Sequence, residues 1–139
     1  MIWAVIDTNT LVSGMGWGGA PGRVVDLALA GRFVMVSSRP LLDELARVLE
    51  RPKLAGVFAK PAEIVRLVEA ASVVVEPTKA LEIVAADPSD DRVLEAADAA
   101  RADFIITGDH HLLELEDFRG TRIIRPRGFL EALAREPGG

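Results

Sequence analysis

The sequence predicts an α/β fold, a three-layer α/β/α domain on a central parallel sheet of about five strands. Apolar, β-branched runs alternate along the chain with amphipathic helical stretches, which implies crossover connections and parallel pairing. The runs Ile2–Ile6 and Phe104–Ile106 are continuous rather than alternating, as in strands covered on both faces. Each stops abruptly, the first at Asp7-Thr8-Asn9 and the other at Thr107-Gly108-Asp109.

In chain order, the first strand is Ile2–Ile6, with Trp3 among its apolar residues. The glycine-rich stretch after it, Ser13–Gly22, lacks the Lys-Ser/Thr ending of a phosphate-binding loop; it is expected to be a flexible surface segment or closely packed. Pro21 suits the first turn of a helix to Leu29, and Gly31 its carboxyl cap. Phe33–Val36 is the second strand, and Ser37-Ser38 with Pro40 opens the next helix. In that helix, Leu41–Glu50, the apolar stripe is Leu41, Leu42, Leu45, Val48 and Leu49. Asp43 points about 150° from its centre while Glu44 lies on its border, so Asp43 is solvated and Glu44 can reach inward. Arg51-Pro52 ends the helix. Pro61–Ala71 is a further amphipathic helix and Ser72–Val75 a short strand. Asp87–Asp109 concentrates charge and order: an Ala-rich helix, the strand Phe104–Ile106, and carboxylates at both ends. Asp90, Leu94 and Ala97 share one helical face, which aims Asp90 at the core. A turn of helix over His110–Leu115, a strand Arg122–Ile124 and a helix Arg127–Arg135 complete the chain.

At 139 residues this is one domain, 1–135, with a frayed tail 136–139, large enough to bury about two thirds of its unfolded surface. Cysteine is absent, which excludes disulfides and thiolate metal sites. The first strand reaches an aspartate after five apolar residues with no basic lead, and no run is long enough for a membrane span. A cytoplasmic protein with no membrane partner is expected. The net charge of −5 argues against coating nucleic acid by bulk electrostatics. Even so, Arg119, Arg122, Arg125 and Arg127 crowd the last quarter, and Arg47, Arg51 and Lys53 follow one helix. These are usual on a solvated face, and a local basic rim gripping phosphates is the minority reading.

The acids at strand ends or inward helix edges are Asp7, Glu44, Asp87, Asp90, Asp91 and Asp109. Taken singly, Asp7 and Asp109 fit helix or turn caps, and Asp87 fits a turn before Pro88. Convergence of four or more would raise their pKa values and cost stability unless hard cations intervened. Oxygen-only ligands point to Mg²⁺ or Mn²⁺ rather than Zn²⁺, and two such ions about 3.5–4 Å apart would activate water and polarise a phosphodiester. His110 and His111 are adjacent and diverge by about 100° on a helix, so they fit exposed first-turn residues better than joint ligands.

Asp7-Thr8-Asn9 after the first strand, the inward Glu44, Asp87-Pro88-Ser89-Asp90-Asp91 before the Ala-rich helix, and Thr107-Gly108-Asp109 together resemble the PIN-domain family. The nearest subgroup is the VapC-like toxin components of toxin-antitoxin systems. The resemblance covers nearly the whole chain and implies an Mg²⁺- or Mn²⁺-dependent ribonuclease. It matches Asp7, Glu44 and Asp109 to the family's first, second and fourth acids. Asp90, ranked first, and Asp91 compete for the third. Asn9 and Thr107 match supporting positions that hold acids or water. His110-His111 departs from the basic-acidic pair often found there. The resemblance also implies an RNA substrate, a small antitoxin protein as possible partner, and a homodimer or higher homo-oligomer.

Two other functions compete. Asp7 with Thr10, then the second strand, then Thr107-Gly108-Asp109 also resembles the haloacid-dehalogenase phosphatase layout, with Asp7 as nucleophile. Asn9 at the general-acid position, the lack of a well-placed lysine and the short chain weigh against it. A non-catalytic module binding RNA or protein is the other, and the full set of acids weighs against that.

Overall fold

The computed structural model describes residues 1–78, 80 and 88–136. The central sheet is six-stranded, ordered β3-β2-β1-β4-β6-β5. Its strands are β1 (Trp3–Ile6), β2 (Val34–Ser38), β3 (Ser72–Val75), β4 (Phe104–Ile106), β5 (Asp117–Phe118) and β6 (Thr121–Ile124). β1, β2, β3, β4 and β6 are mutually parallel, so the expected five-strand sheet is present. The sixth strand, β5, pairs antiparallel with β6 and has no counterpart in the sequence reading. A two-residue loop turns that hairpin: Arg119 and Gly120 both take positive φ, 50° and 87°, as the favoured tight hairpin turn requires.

Seven α-helices flank the sheet among the described residues: α1 (Thr8–Trp17), α2 (Gly19–Leu29), α3 (Arg39–Leu49), α4 (Pro61–Ala71), α5 (Pro88–Ala100), α6 (His110–Leu113) and α7 (Pro126–Ala134). Strand residues alternate between two cores, as the two-residue period of a strand demands. Ala4, Ile6 and Ile106 face a core with Leu11, Val24, Leu45 and Phe129. Val5, Val36, Ile105 and Ile123 face another with Leu94, Ala97 and Leu112. These are the two interlayer spaces of an α/β/α sandwich.

The glycine-rich stretch is helical, which corrects its expected role as a flexible surface segment. Asp7 caps α1 by accepting from Thr10 N at 2.8 Å, and the helix runs to Trp17 before Gly18, at φ 80°, turns the chain into α2. Close packing accounts for the composition. A Cβ on Gly14 would lie 2.6 Å from the Pro21 carbonyl oxygen, and one on Gly22 would lie 3.2 Å from that of Gly14. Glycine is there because α1 and α2 touch backbone to backbone.

Parallel pairing puts the carboxyl ends of β1, β2, β3, β4 and β6 along one edge of the sheet, where α/β folds carry their ligand sites. Asp7, Thr107 and Arg125 follow directly after β1, β4 and β6, and Ser38 is the last residue of β2. Helices α3 and α5 run back against the sheet, so their first turns lie at that edge also. Asp87 and residues 137–139 of the expected tail lie outside the described residues.

Candidate metal centre

The edge is organised around Thr107, which is fully buried. Its backbone N–H donates to the Ile124 carbonyl at 3.0 Å, extending the β4–β6 ladder one step past the strand. Its hydroxyl donates to Asp7 Oδ2 and accepts from Asp109 N at 2.9 Å. One side chain thereby ties the acid after β1 to the acid after β4. Asp7 is held equally firmly from its own side: its N–H donates to the Ile106 carbonyl at 3.1 Å, and Oδ1 accepts from Thr10 N. Asp109 is half-buried and caps the short helix α6, Oδ1 accepting from His111 N at 2.7 Å. Both aspartates thus do the capping that their position after a strand suggests.

Capping does not exhaust them. Asp7 is only 6% exposed, and burial pushes its carboxyl above the ordinary 3.8. Hydrogen bonds from Thr10 and Thr107 pull back against this, and the negative charge of Asp109 adds to the rise. Asp7 and Asp109 therefore act on each other as like charges. They line one cleft of about 580 Å³ with Asn9, Thr10, Ser13, His110, Arg125 and Arg127. Asn9 is exposed at its rim. His110 and His111 stack with ring centroids 4.1 Å apart, and His110 lines the cleft.

Glu44 and Asp43 separate as the helical angles require, Asp43 exposed and Glu44 partly buried. Glu44 Oε2 accepts from the Thr8 hydroxyl at 2.7 Å, which fastens it to the residue after Asp7. It lines a neighbouring hollow of about 410 Å³ with Arg47, Ser89 and Arg92. Asp90 and Asp91 occupy the first turn of α5 and are both buried, 6% and 4% exposed. The positive end of the helix favours carboxylates there. The inward line Asp90, Leu94, Ala97 is present, with the two apolar members fully buried. Asp91 is buried as well, so burial does not choose between the two.

The sequence reading passed over Glu95, one turn beyond Asp91 on the same helix line. It is 7% exposed and pairs with Arg92 at 2.8 Å. Its spacing from Asp91 was the available signal.

The structure thus brings Asp7, Asp109 and Asn9 into one cleft with the buried Thr107 behind the two acids, links Glu44 to Asp7's neighbour Thr8, and sets Asp90 and Asp91 at the start of α5. Among the described residues, no three Asp, Glu or His side chains lie close enough to enclose one ion in this arrangement. The donor chemistry nonetheless fits a hard divalent cation. All the donors are oxygens, and Asp7 is a buried carboxylate whose charge costs stability beside Asp109 unless a cation offsets it.

The PIN-domain family profile matches residues 4–111. The chain belongs to the PIN-domain family. Nucleases are the general membership of this superfamily, typically dependent on divalent metal. The chain is also 31% identical over 120 residues to the uncharacterized protein MJ1680 of Methanocaldococcus jannaschii, covering 84% of this chain and 76% of that protein. The crystal structure of PAE2754 from Pyrobaculum aerophilum shares the fold, with a TM-score of 0.65 at 17% identity over 97% of this chain and 91% of the other. No helix among the described residues is long and apolar enough to cross a membrane.

Proposed function

We propose that this PIN-domain protein is a cytoplasmic, Mg²⁺- or Mn²⁺-dependent endoribonuclease of the VapC-like kind, hydrolysing RNA phosphodiester bonds at the Asp7–Asp109 cleft. The observation that carries the reading is the unit Asp7–Thr107–Asp109: two acids from adjacent strand ends that line one cleft, with one buried hydroxyl bonded to the Asp7 carboxylate and to the Asp109 backbone N–H. Caps alone would not need a shared, fully buried threonine between them.

Asp7 and Asp109 would hold the metal from the strand side, with Glu44 and either Asp90 or Asp91 completing the set from α3 and α5. When bound, the ion supplies a water activated near neutral pH and a positive charge for the phosphate oxygens. Thr107 keeps Asp7 Oδ2 and the Asp109 backbone in fixed relation, so the ligands are oriented before the ion arrives. Asn9, exposed at the rim, is in position to donate to a water or phosphate oxygen. Thr8 holds Glu44 facing the same edge.

The test is cleavage of single-stranded and structured RNA with Mn²⁺ or Mg²⁺ by wild type, Asp7→Asn and Asp109→Asn. Metal-dependent cleavage lost in both variants supports the reading. Wild-type inertness toward every RNA, or cleavage unaltered in the variants, removes it. Inertness combined with RNA binding would favour a non-catalytic module. Turnover of a small phosphate ester would favour the phosphatase layout, although Asp7 is already engaged by Thr10 and Thr107. Pairing with a small antitoxin protein and self-association belong to the same proposal. Co-expression with the product of a neighbouring small reading frame, followed by size-exclusion chromatography, checks both.

A further inference from the structure

The acid cleft does not end at its own wall. Ala20 and Arg127 line it and also line a second groove of about 440 Å³, bounded by Arg23 on α2 and by Leu130, Glu131 and Ala134 on α7. The two hollows are therefore neighbours that meet at Ala20 and Arg127, and together they lead from Asp7 and Asp109 along the α2–α7 seam. Arg125 stands at the cleft end, Arg127 at the junction and Arg23 farther along. All three are exposed, and within the described residues none is neutralised by an ion pair. Glu131 is the acid that lines the groove, and it pairs with none of them. In a chain of net charge −5, three unpaired guanidinium groups along one channel beside an acidic cleft are a local reversal of sign. Two other exposed arginines are spent differently: Arg119 pairs with Asp98 at 2.9 Å and Arg39 with Glu69 at 3.0 Å.

The geometry points to the α2–α7 groove as a track for the backbone of a single RNA strand, with Arg125, Arg127 and Arg23 binding successive phosphates on one side of the cleaved bond. The occupant rests on the ribonuclease reading above, which supplies a strand at the cleft. Its chemistry follows from the lining. Guanidinium groups meet phosphate oxygens bidentately. The other groove residues are Ala20, Leu130, Glu131 and Ala134, which offer no aromatic ring for bases to stack on, unlike the usual base-binding platform. The track therefore reads charge and spacing, not base identity.

Binding is measured in chelator, so that cleavage plays no part, by fluorescence anisotropy of fluorescein-labelled oligouridine and oligoadenine strands over a range of salt concentrations. Arg23→Gln, Arg125→Gln and Arg127→Gln are each expected to weaken binding of both strands several-fold. The combined Arg23→Gln, Arg125→Gln and Arg127→Gln variant is expected to flatten the slope of log affinity against log salt by about 2, at about 0.7 per phosphate contact on a single strand. Arg119→Gln, at the opposite edge of the sheet, should leave the slope unchanged. A triple variant with wild-type affinity and slope overturns the track, and so does a dependence seen with one base and not the other. The two readings fail separately: cleavage with unaltered binding in the triple variant removes the track alone, and arginine-dependent binding without cleavage under any metal removes the ribonuclease alone.

Discussion

The acidic edge has two halves built by different means. On one side Asp7 directly follows β1 and Asp109 lies three residues past β4; the ladder fixes the backbone, and Thr107 holds the Asp7 carboxylate and the Asp109 backbone N–H. On the other side Glu44, Asp90 and Asp91 ride on helices α3 and α5, and reach the edge through side-chain length and helix position. The strand-borne half is pre-organised to within the tolerance of a sheet. The helix-borne half is anchored at Glu44 through Thr8 and otherwise depends on how α5 seats against β1, β2 and β4. A metal centre divided this way would have a rigid wall and an adjustable one.

The largest expected effects break the rigid half. Asp7→Asn and Asp109→Asn should each lower metal-dependent RNA cleavage by at least about 100-fold, because residues that merely orient metal ligands already cost about 10–100-fold. Thr107→Val comes next. It keeps the shape but removes the donor to Asp7 and the acceptor for Asp109 N, and should cost about 1–3 kcal/mol in denaturant melts together with about 10–100-fold in activity. A Thr107→Val protein with wild-type activity would mean that the two halves do not differ in the way described.

Smaller effects test the adjustable half. In chelator, Asp90→Asn should melt no lower than wild type, since it removes a buried negative charge from a crowded acidic edge, and added Mn²⁺ should raise the melting temperature of wild type alone. A clear drop for the variant in chelator would make Asp90 structural. The smallest effect is a pH dependence. Burial raises the Asp7 carboxyl above 3.8, so the metal-free folded protein holds that proton more tightly than the unfolded chain. Its contribution to stability is full below that value and is lost as pH rises through the folded one. Wild type in chelator should therefore lose stability relative to Asp7→Asn as pH rises from about 4 to 7; parallel curves would contradict it.

Much of this edge was legible in the sequence because strands announce themselves. Ser72–Val75, Phe104–Ile106 and the helix Pro61–Ala71 fall where the apolar runs and proline put them. Asp7 and Asp109 follow from being the first acids past such runs. Helix α1 was hidden because five of the residues from Gly14 to Gly22 are glycine, a composition that signals a loop. Its reason, backbone contact with α2, exists only in three dimensions. Strand β5 is two residues long and has no periodicity to read. The four late arginines looked like one cluster, but β6 runs between them: Arg119 and Arg122 lie at its start, Arg125 and Arg127 beyond its end in the cleft. Asp90 and Asp91 stayed undivided because α5 is packed by the sheet on one side and by α3 on another, which buries both.

The central claim is that the Asp7 and Asp109 carboxylates, on either side of Thr107, hold a divalent cation together. Calorimetric titration of Mn²⁺ into wild type, Asp7→Asn and Asp109→Asn tests it most directly. The account predicts saturable binding to wild type and a loss of at least about tenfold in affinity in each variant. Binding of wild-type strength in both variants would contradict it.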